Sequence, residues 1–169
     1  LMDKSVRTSQ DIVRHLDVAM LGAIPDTDDE EVAIDRVETA VRDHPSSMVA
    51  EAFRGVRANL QFTAPAERQR SIVITSPRAD DGKTTVACNL AMSVAQGGRR
   101  VLLVDANFRR PAMQRIFVGV KAKGLSNILI GDGDVASYAI KTDIPLLEVL
   151  GCGPTPPNPA ELLGSPQCR

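Results

Sequence analysis

The tetrapeptide Gly82-Lys83-Thr84-Thr85 combines the residue types that proteins use to bind phosphate. It lies between a continuous apolar run and a segment with helical spacing, so we expect a loop that leads from a strand into a helix. The first turn of a helix has unpaired N–H groups, and such a loop can wrap them around phosphate oxygens. Gly82 then lets the backbone approach the anion, Lys83 brings positive charge to the β- and γ-oxygens, and Thr84 offers its hydroxyl to Mg²⁺.

The residues before Gly82 complete the predicted loop. Backbone amides along it are expected to face the anion, which gives the binding residues as Arg78, Ala79, Asp80, Asp81, Gly82, Lys83, Thr84 and Thr85. Pro77 stands where the strict phosphate-loop pattern has glycine. The two aspartates are expected to turn their side chains outward, because carboxylates repel phosphate. The alternative interpretation is a generic turn with a surface lysine.

Asp105, in the stretch "VLLVDANFRRP", is a second candidate for chemistry. It follows a predicted buried strand, and open α/β sheets bind ligands at the carboxyl ends of their strands. A carboxylate there can hold Mg²⁺ or accept a proton from a hydroxyl nucleophile. Arg109 and Arg110 can pair with phosphate or with acidic groups. The alternative is that Asp105 only caps the next turn.

A predicted strand–loop–helix–strand unit positions these groups. Residues 71–76, "SIVITS", predict a buried parallel strand, residues 85–96 predict a helix, and residues 100–106 predict a second buried strand. A unit of this kind requires a parallel sheet with a right-handed crossover. Residues 144–151 predict a third strand.

Outside this unit the patterns predict mostly short helices and loops. Residues 47–62 predict a longer helix, capped by Ser46 or Ser47, whose apolar face is formed by Met48, Ala52, Phe53, Val56 and Leu60. An acidic loop is expected over residues 26–46, with helical spacing at Ile34, Val37 and Val41. A strand is expected at residues 20–24, and short helices at residues 10–16, 111–117, 124–130 and from residue 160.

Composition excludes several classes of function. The 169 residues contain 20 Lys and Arg against 21 Asp and Glu, so no basic field predicts a nucleic-acid partner. Aromatic residues make up 3%, with no Trp, which argues against base-stacking platforms. No apolar run approaches the about 18 residues of a membrane span, and no signal peptide is recognisable. Cys88, Cys152 and Cys168 are scattered and predict reduced thiols.

The motif "TSPRADDGKTTVACNLA", followed by "VLLVDANFRRP", resembles the bacterial tyrosine kinases of exopolysaccharide and capsule assembly. The stretch "EAFRGVRANLQF" resembles the family's Glu-x-x-Arg-x-x-Arg helix, and "GLSNILIGD" and "NPAELLGS" resemble its later landmarks. The stretch "DKSVRTSQDIVRHLDVAMLGAIPD" resembles the segment just after the second membrane helix of the chain-length regulator. The resemblance covers nearly the whole chain. It implies an α/β fold of the P-loop NTPase type, a three-layer sandwich around a mostly parallel sheet. Residues 1–46 would be a juxtamembrane lead-in and residues 47–169 part of the kinase domain.

The resemblance also implies an activity, that of an ATP-dependent, non-specific protein-tyrosine kinase. Such a kinase phosphorylates itself and regulates polysaccharide polymerisation and export. Lys83 and Asp105 would be the catalytic residues, with Lys83 on the phosphates of ATP and Asp105 either on Mg²⁺ or acting as base toward a tyrosine hydroxyl. The implied cofactors are ATP and Mg²⁺, and the implied metal ligands are Thr84, Asp105 and Asn107.

Partners and location follow from the same resemblance. Glu51, Arg54 and Arg57 match a Glu-x-x-Arg-x-x-Arg helix that contacts the neighbouring subunit of a ring-shaped homo-oligomer. Without the kinase motifs, a solvated charged face would be the simpler interpretation. A membrane-embedded chain-length regulator, fused upstream, and tyrosine substrates are the other implied partners. The implied location is the cytoplasmic face of the bacterial inner membrane.

The chain departs from the family pattern at three points. Asn107 stands where the family has a second aspartate, and Tyr138 is the single tyrosine. The sequence also contains no later strand that ends in the Walker B aspartate, so we expect a domain truncated before that strand, and the activity of this stretch alone stays open.

Two other functions remain as alternatives. The first is a nucleotide-switched ATPase of the partition and division-site type, which tends to have lysine where Arg78 stands here. The second is a non-catalytic scaffold in which nucleotide only controls assembly.

Overall fold

The computed structural model describes residues 18–29, 33–63, 65 and 69–168. The predicted helix at residues 10–16 lies outside these residues. The described helices are α1 (Ala40–Asp43), α2 (Met48–Thr63), α3 (Lys83–Gln96), α4 (Met113–Ile116), α5 (Leu125–Leu129), α6 (Val135–Tyr138) and α7 (Pro159–Leu163). Short 3₁₀ turns cover Thr27–Asp29, Val37–Thr39 and Pro166–Cys168. None of the described helices is both long and apolar enough to cross a membrane.

Within the described residues, three strands form one mixed sheet. They are β1 (Val101–Val104), β2 (Ile140–Lys141) and β3 (Leu147–Leu150), in the spatial order β1-β3-β2. β1 runs parallel to β3, with Val101 opposite Leu147, whereas β2 runs antiparallel to β3. The strands predicted at residues 100–106 and 144–151 are confirmed in shorter form, and β2 was not predicted.

Helix α2 confirms the helix predicted at residues 47–62. Its first turn is capped by Ser47, whose Oγ accepts a hydrogen bond from the backbone N–H of Ala50 at 3.1 Å. The face that it buries consists of Val49, Ala50, Phe53 and Val56. Met48 was predicted on that face, but its side chain is 48% exposed, because the buried stripe begins one residue later.

Helix α3 is the central helix of the core. It packs against α2 and β1, and it buries seven residues: Cys88, Asn89, Leu90, Ala91, Met92, Ser93 and Ala95. Residues 37–43 pack against it as well, and Thr39, Ala40 and Val41 are fully buried there. The domain boundary at residue 46 stays a prediction, although residues on both sides of it share this core.

The buried strand predicted at residues 71–76 is wrong. Ile72 and Val73 are 50% and 88% exposed, although Ile74 packs against the core. Among the described residues, no backbone hydrogen bond joins residues 71–75 to another segment. A strand needs a neighbour that pairs with its N–H and C=O groups. Neither β1 nor another described strand pairs with this segment, so the apolar run forms no strand.

The strand predicted at residues 20–24 is also wrong. The segment lies along the surface without pairing to a described strand, and only Leu21 and Ile24 pack partly against the core. Its backbone is held by a side chain instead, since Asn59 Nδ2 donates to the carbonyl oxygen of Leu21 at 2.8 Å.

Candidate functional site

The predicted phosphate loop enters the N-terminus of α3. Gly82 is the N-cap residue and has φ +79°, in the left-handed region that favours glycine. Helix hydrogen bonding begins directly after it, because the backbone N–H of Val86 donates to the carbonyl oxygen of Gly82 at 2.8 Å. The first-turn N–H groups, including those of Lys83 and Thr84, therefore have no partner within the helix.

The ammonium group of Lys83 is held across this loop. Its Nζ donates to Ser76 Oγ at 2.5 Å and to the carbonyl oxygen of Arg78 at 2.6 Å. Ser76 Oγ in turn donates to the same carbonyl oxygen at 2.7 Å. In the part of the chain that is described, no carboxylate forms an ion pair with Lys83. Its charge is therefore available to balance a bound anion.

The two loop aspartates behave differently from each other. Asp80 has φ +64°, and its exposed carboxylate turns toward Arg110, with Nη1 and Oδ2 3.3 Å apart. Asp81 instead folds back onto the loop, where its Oδ2 accepts a hydrogen bond from the backbone N–H of Arg78 at 2.9 Å. The expectation that both side chains point outward is therefore wrong for Asp81, and the amide of Arg78 is already occupied.

The remaining loop residues lie where the sequence predicts them. Ala79 is exposed at the turn, and Thr84 and Thr85 are half-buried in the first turn of α3. Among the described residues, no hydrogen-bond partner is found for the hydroxyl of Thr84. The hydroxyl is therefore available to a ligand.

Asp105 lies at the end of β1 and is 5% exposed. Its Oδ2 accepts hydrogen bonds from the backbone N–H groups of Ala112 and Met113, at 2.9 and 3.2 Å. Its Oδ1 accepts one from the N–H of Asn107 at 3.0 Å. Asp105 thus caps the turn before α4, as the alternative interpretation of this residue predicted. Because a carboxylate oxygen can accept two bonds, Oδ1 keeps capacity for a further ligand.

The segment after β1 contacts the phosphate loop through Arg110. This residue joins Asp80, as described above, and its backbone N–H donates to Asn107 Oδ1 at 3.2 Å. The structure therefore brings the loop and the residues after Asp105 together at one edge of the sheet. Arg110 was predicted to meet phosphate or an acidic group. Ser76 was not predicted as a site residue. The only feature of the sequence that points to it is its position as the last residue of the apolar run.

Cys88 lies buried in α3, with its Sγ 3.9 Å from Met113 Sδ. Burial, together with the nearby charges of Glu38 and Asp105, raises the pKa of this thiol to about 12. Burial also raises the pKa of Cys152. Since the thiolate is the nucleophilic form, neither residue fits thiol chemistry at neutral pH.

The predicted oligomer-contact residues lie on α2, away from the loop. Arg54 Nη1 contacts Glu51 Oε2 at 2.5 Å, and Arg54 also donates to the carbonyl oxygen of Pro45. Arg57 Nη1 donates to the carbonyl oxygen of Ser93 at 2.5 Å, in the last turn of α3. Arg57 is therefore engaged within the chain, whereas Glu51 is 74% exposed and can meet another molecule.

Comparisons with known proteins show what the chain is similar to. Residues 72–128 match the family described as the CobQ/CobB/MinD/ParA nucleotide binding domain. Among curated proteins, the chain is similar to the putative tyrosine-protein kinase CapB of Staphylococcus aureus, with 38% identity over 125 residues, which are 74% of this chain and 55% of CapB. The chain spans about half the length of CapB and of two other similar kinases, YwqD of Bacillus subtilis and CpsD of Streptococcus agalactiae.

Solved structures agree as well. The crystal structure of the chimerical protein CapA2B2 has a TM-score of 0.77 and 34% identity, covering 95% of this chain and 67% of the other. The kinase domain of the Escherichia coli tyrosine kinase ETK has a TM-score of 0.80 and 27% identity, covering 92% and 63%. The α/β fold class of the P-loop type and the nucleotide-binding character predicted from the sequence are confirmed.

Proposed function

This chain belongs to the family of bacterial tyrosine kinases, and we propose that it binds ATP with Mg²⁺ and transfers the γ-phosphoryl group to tyrosine hydroxyls. The observation that carries the proposal is the free N-terminus of α3, which begins after left-handed Gly82, next to an ammonium group without a carboxylate partner. Phosphoryl transfer depends mostly on positioning and on neutralising charge, and this arrangement supplies both.

Lys83 acts in this proposal by exchanging partners. Its ammonium group leaves the carbonyl oxygen of Arg78 and binds phosphate oxygens. The exchange is favourable because a phosphate dianion attracts an ammonium group more strongly than a carbonyl dipole does. The N–H groups of the first turn of α3 bind the same phosphates. Both interactions strengthen as negative charge develops in the transition state.

Thr84 and Asp105 are the proposed metal-binding residues, with Asn107 as a neutral third group. The described residues contain no cluster of three acidic, histidine or cysteine side chains. This fits Mg²⁺, which commonly uses one or two protein ligands together with substrate phosphates. When bound, Mg²⁺ supplies positive charge to the phosphates. Three backbone N–H groups donate to Asp105 and hold its carboxylate in position at the end of β1, beside the predicted loop.

Lys83→Met tests the proposal. We expect affinity for Mg²⁺-ATP to fall at least about 100-fold, because the substitution removes the charge that faces the phosphates. Isothermal titration calorimetry measures this, and tyrosine phosphorylation of a Glu- and Tyr-containing polymer measures transfer. Lys123→Met, which removes an exposed lysine on another segment, is the matched control. Unchanged nucleotide affinity in the Lys83 variant would refute the assignment of the loop.

A non-catalytic scaffold is the second candidate function. It is favoured by the capping role of Asp105 and by the missing charge at Asn107. In that case the chain binds Mg²⁺-ATP but leaves the tyrosine polymer unphosphorylated, so the same two assays separate the candidates.

We also propose that the chain assembles with copies of itself through α2, at the cytoplasmic face of the inner membrane and next to a membrane-embedded regulator. Glu51 is the best residue for a test, because Arg57 is needed within the chain. Glu51→Lys should reduce assembly measured by light scattering, since the reversed charge repels the partner's arginines. Glu161→Lys, on the exposed face of α7, is the control. An unaltered oligomer would remove the predicted contact.

A further inference from the structure

A cavity of about 300 Å³ lies at the edge of the sheet opposite the phosphate loop. Of its lining residues, Lys141 ends β2 and Asp143 lies in the turn that leads to the start of β3, whereas Asp105 follows the end of β1. Because β1 and β3 are parallel, the start of one strand and the end of the other lie at opposite edges. The cavity is therefore separate from the proposed nucleotide site.

Positive charge dominates the rim of this cavity. Arg36 is fixed there, since its Nη2 donates to the carbonyl oxygens of Arg115 and Ile116 at 3.0 and 3.2 Å. Lys141 is exposed and, among the described residues, makes no ion pair within 4 Å, although Glu148 lies opposite it on β3. An anion that enters the cavity therefore meets one positioned guanidinium and one ammonium group that can reach it.

Arg42 contributes the third cation of the rim. It pairs with Asp43 at 2.7 Å and, more loosely, with Asp143 at 3.5 Å. The Asp143 side chain is 67% exposed, and exposed pairs of this kind contribute little to stability. A stronger anion can therefore replace Asp143 beside Arg42 at little cost.

Apolar side chains complete the cavity. Phe117 is buried beneath it, and Val118 is 98% exposed at its edge. A cationic rim around an apolar surface suits a ligand that has an anionic group on an aromatic body. Inorganic phosphate would satisfy the cations but leave the apolar surface uncovered.

We propose that this cavity binds phosphotyrosine side chains. The inference rests on the proposed function, because tyrosine phosphorylation is the reaction that produces this ligand. A phosphate monoester carries about −1.5 to −2 charges near neutral pH. It therefore balances the positive charge of three cations better than a carboxylate group can. Its ring would lie against Val118, above the buried Phe117, with the phosphate among Arg36, Arg42 and Lys141. The site would let one copy of the chain recognise its own product on another polypeptide.

Site-resolved NMR on the full chain tests the proposal without requiring kinase activity. Phenyl phosphate is the probe, with inorganic phosphate and p-cresol as comparisons. We expect phenyl phosphate to shift the amide signals of residues 116–118 and 141–143, with at least about fivefold higher affinity than either comparison. Equal affinity for inorganic phosphate, or shifts confined to residues 78–84, would overturn the proposal.

Lys141→Met and its control Lys123→Met complete the test. The first variant should weaken phenyl phosphate binding at least about fivefold at residues 116–118, and the second should leave it unchanged. A phosphotyrosine peptide should bind more tightly than the same peptide with glutamate in place of phosphotyrosine. Equal binding of the two peptides would assign the cavity to acidic peptides in general and overturn the proposal. Loss of Mg²⁺-ATP binding in Lys83→Met tests the proposed function separately, because it concerns the other edge of the sheet.

Discussion

Gly82 shows how a single backbone conformation prepares the site. Its φ of +79° turns the loop into α3, and a Cβ added there would meet no heavy atom within 4 Å. The requirement for glycine is therefore conformational and not steric. Gly55, in the middle of α2, also has open space around its missing Cβ, but its helical backbone suits any L residue.

Substituting these two glycines by alanine should have opposite effects. Gly82→Ala should lower the free energy of unfolding by about 1 kcal/mol, because the left-handed conformation is unfavourable for alanine. It should also weaken Mg²⁺-ATP binding, since the loop must bend differently to enter the helix. Gly55→Ala should raise the free energy of unfolding by about 1 kcal/mol. Urea denaturation measures both, and a stabilised Gly82→Ala chain would contradict the assigned conformation.

At the scale of elements, Asn89 joins α3 to the segment before α2. Its Oδ1 accepts from the backbone N–H of Val41 at 2.9 Å, and its Nδ2 donates to the carbonyl oxygens of Val37 and Thr85 at 2.7 and 3.0 Å. Asn89 and Val41 are both fully buried, so solvent cannot replace Asn89 as the partner of the Val41 N–H. One side chain thus fixes how residues 37–43 pack on the central helix.

Asn89→Ala should lower the free energy of unfolding by about 2–4 kcal/mol, because buried backbone groups lose their partner and a small cavity remains. Urea denaturation followed by circular dichroism measures the loss. The control is Asn59→Ala, which removes an exposed hydrogen bond to Leu21 and should cost about 1 kcal/mol or less. Similar losses in the two variants would argue against the role of Asn89.

At the scale of the whole molecule, the described residues leave one face of β1 partly uncovered. Leu103 of β1 is buried, whereas Leu102 and Val104 on the other face are 40% and 38% exposed. Ile72 and Val73 add a second exposed apolar segment. Contiguous apolar surface of this kind promotes association, and the unpaired edge of β1 adds to that tendency.

Leu102→Lys should therefore reduce self-association, measured by sedimentation velocity over a range of protein concentrations. Association through this face should grow stronger in sulfate, because apolar contacts strengthen under those conditions, whereas the charged contact at Glu51 should weaken with salt. Val135→Lys changes a single exposed valine on α6 and should have no effect. If Leu102→Lys associates as strongly as the unmodified chain, the uncovered face is not the cause.

The elements that depend on local sequence could be predicted. The capped apolar stripe of α2 and the glycine-to-helix transition at residue 82 are patterns within about one or two helical turns, so neighbouring residues suffice to specify them. The strand predicted at residues 71–76 failed for the opposite reason. Its apolar run is typical of a buried strand, but a strand exists only where a distant segment pairs with it.

The sequence by itself determined the helix α2 and the glycine-to-helix transition that places Lys83 at the start of α3, because those features follow from residues that are neighbours along the chain. Only the tertiary structure decided that Asp105 caps the turn before α4, that Ser76 and the Arg78 carbonyl hold Lys83, and that Arg57 is bound within its own chain. Each of these contacts depends on the direction in which a side chain or carbonyl points once the elements have packed. The periodicity and composition of the sequence do not specify the direction in which a side chain or carbonyl points.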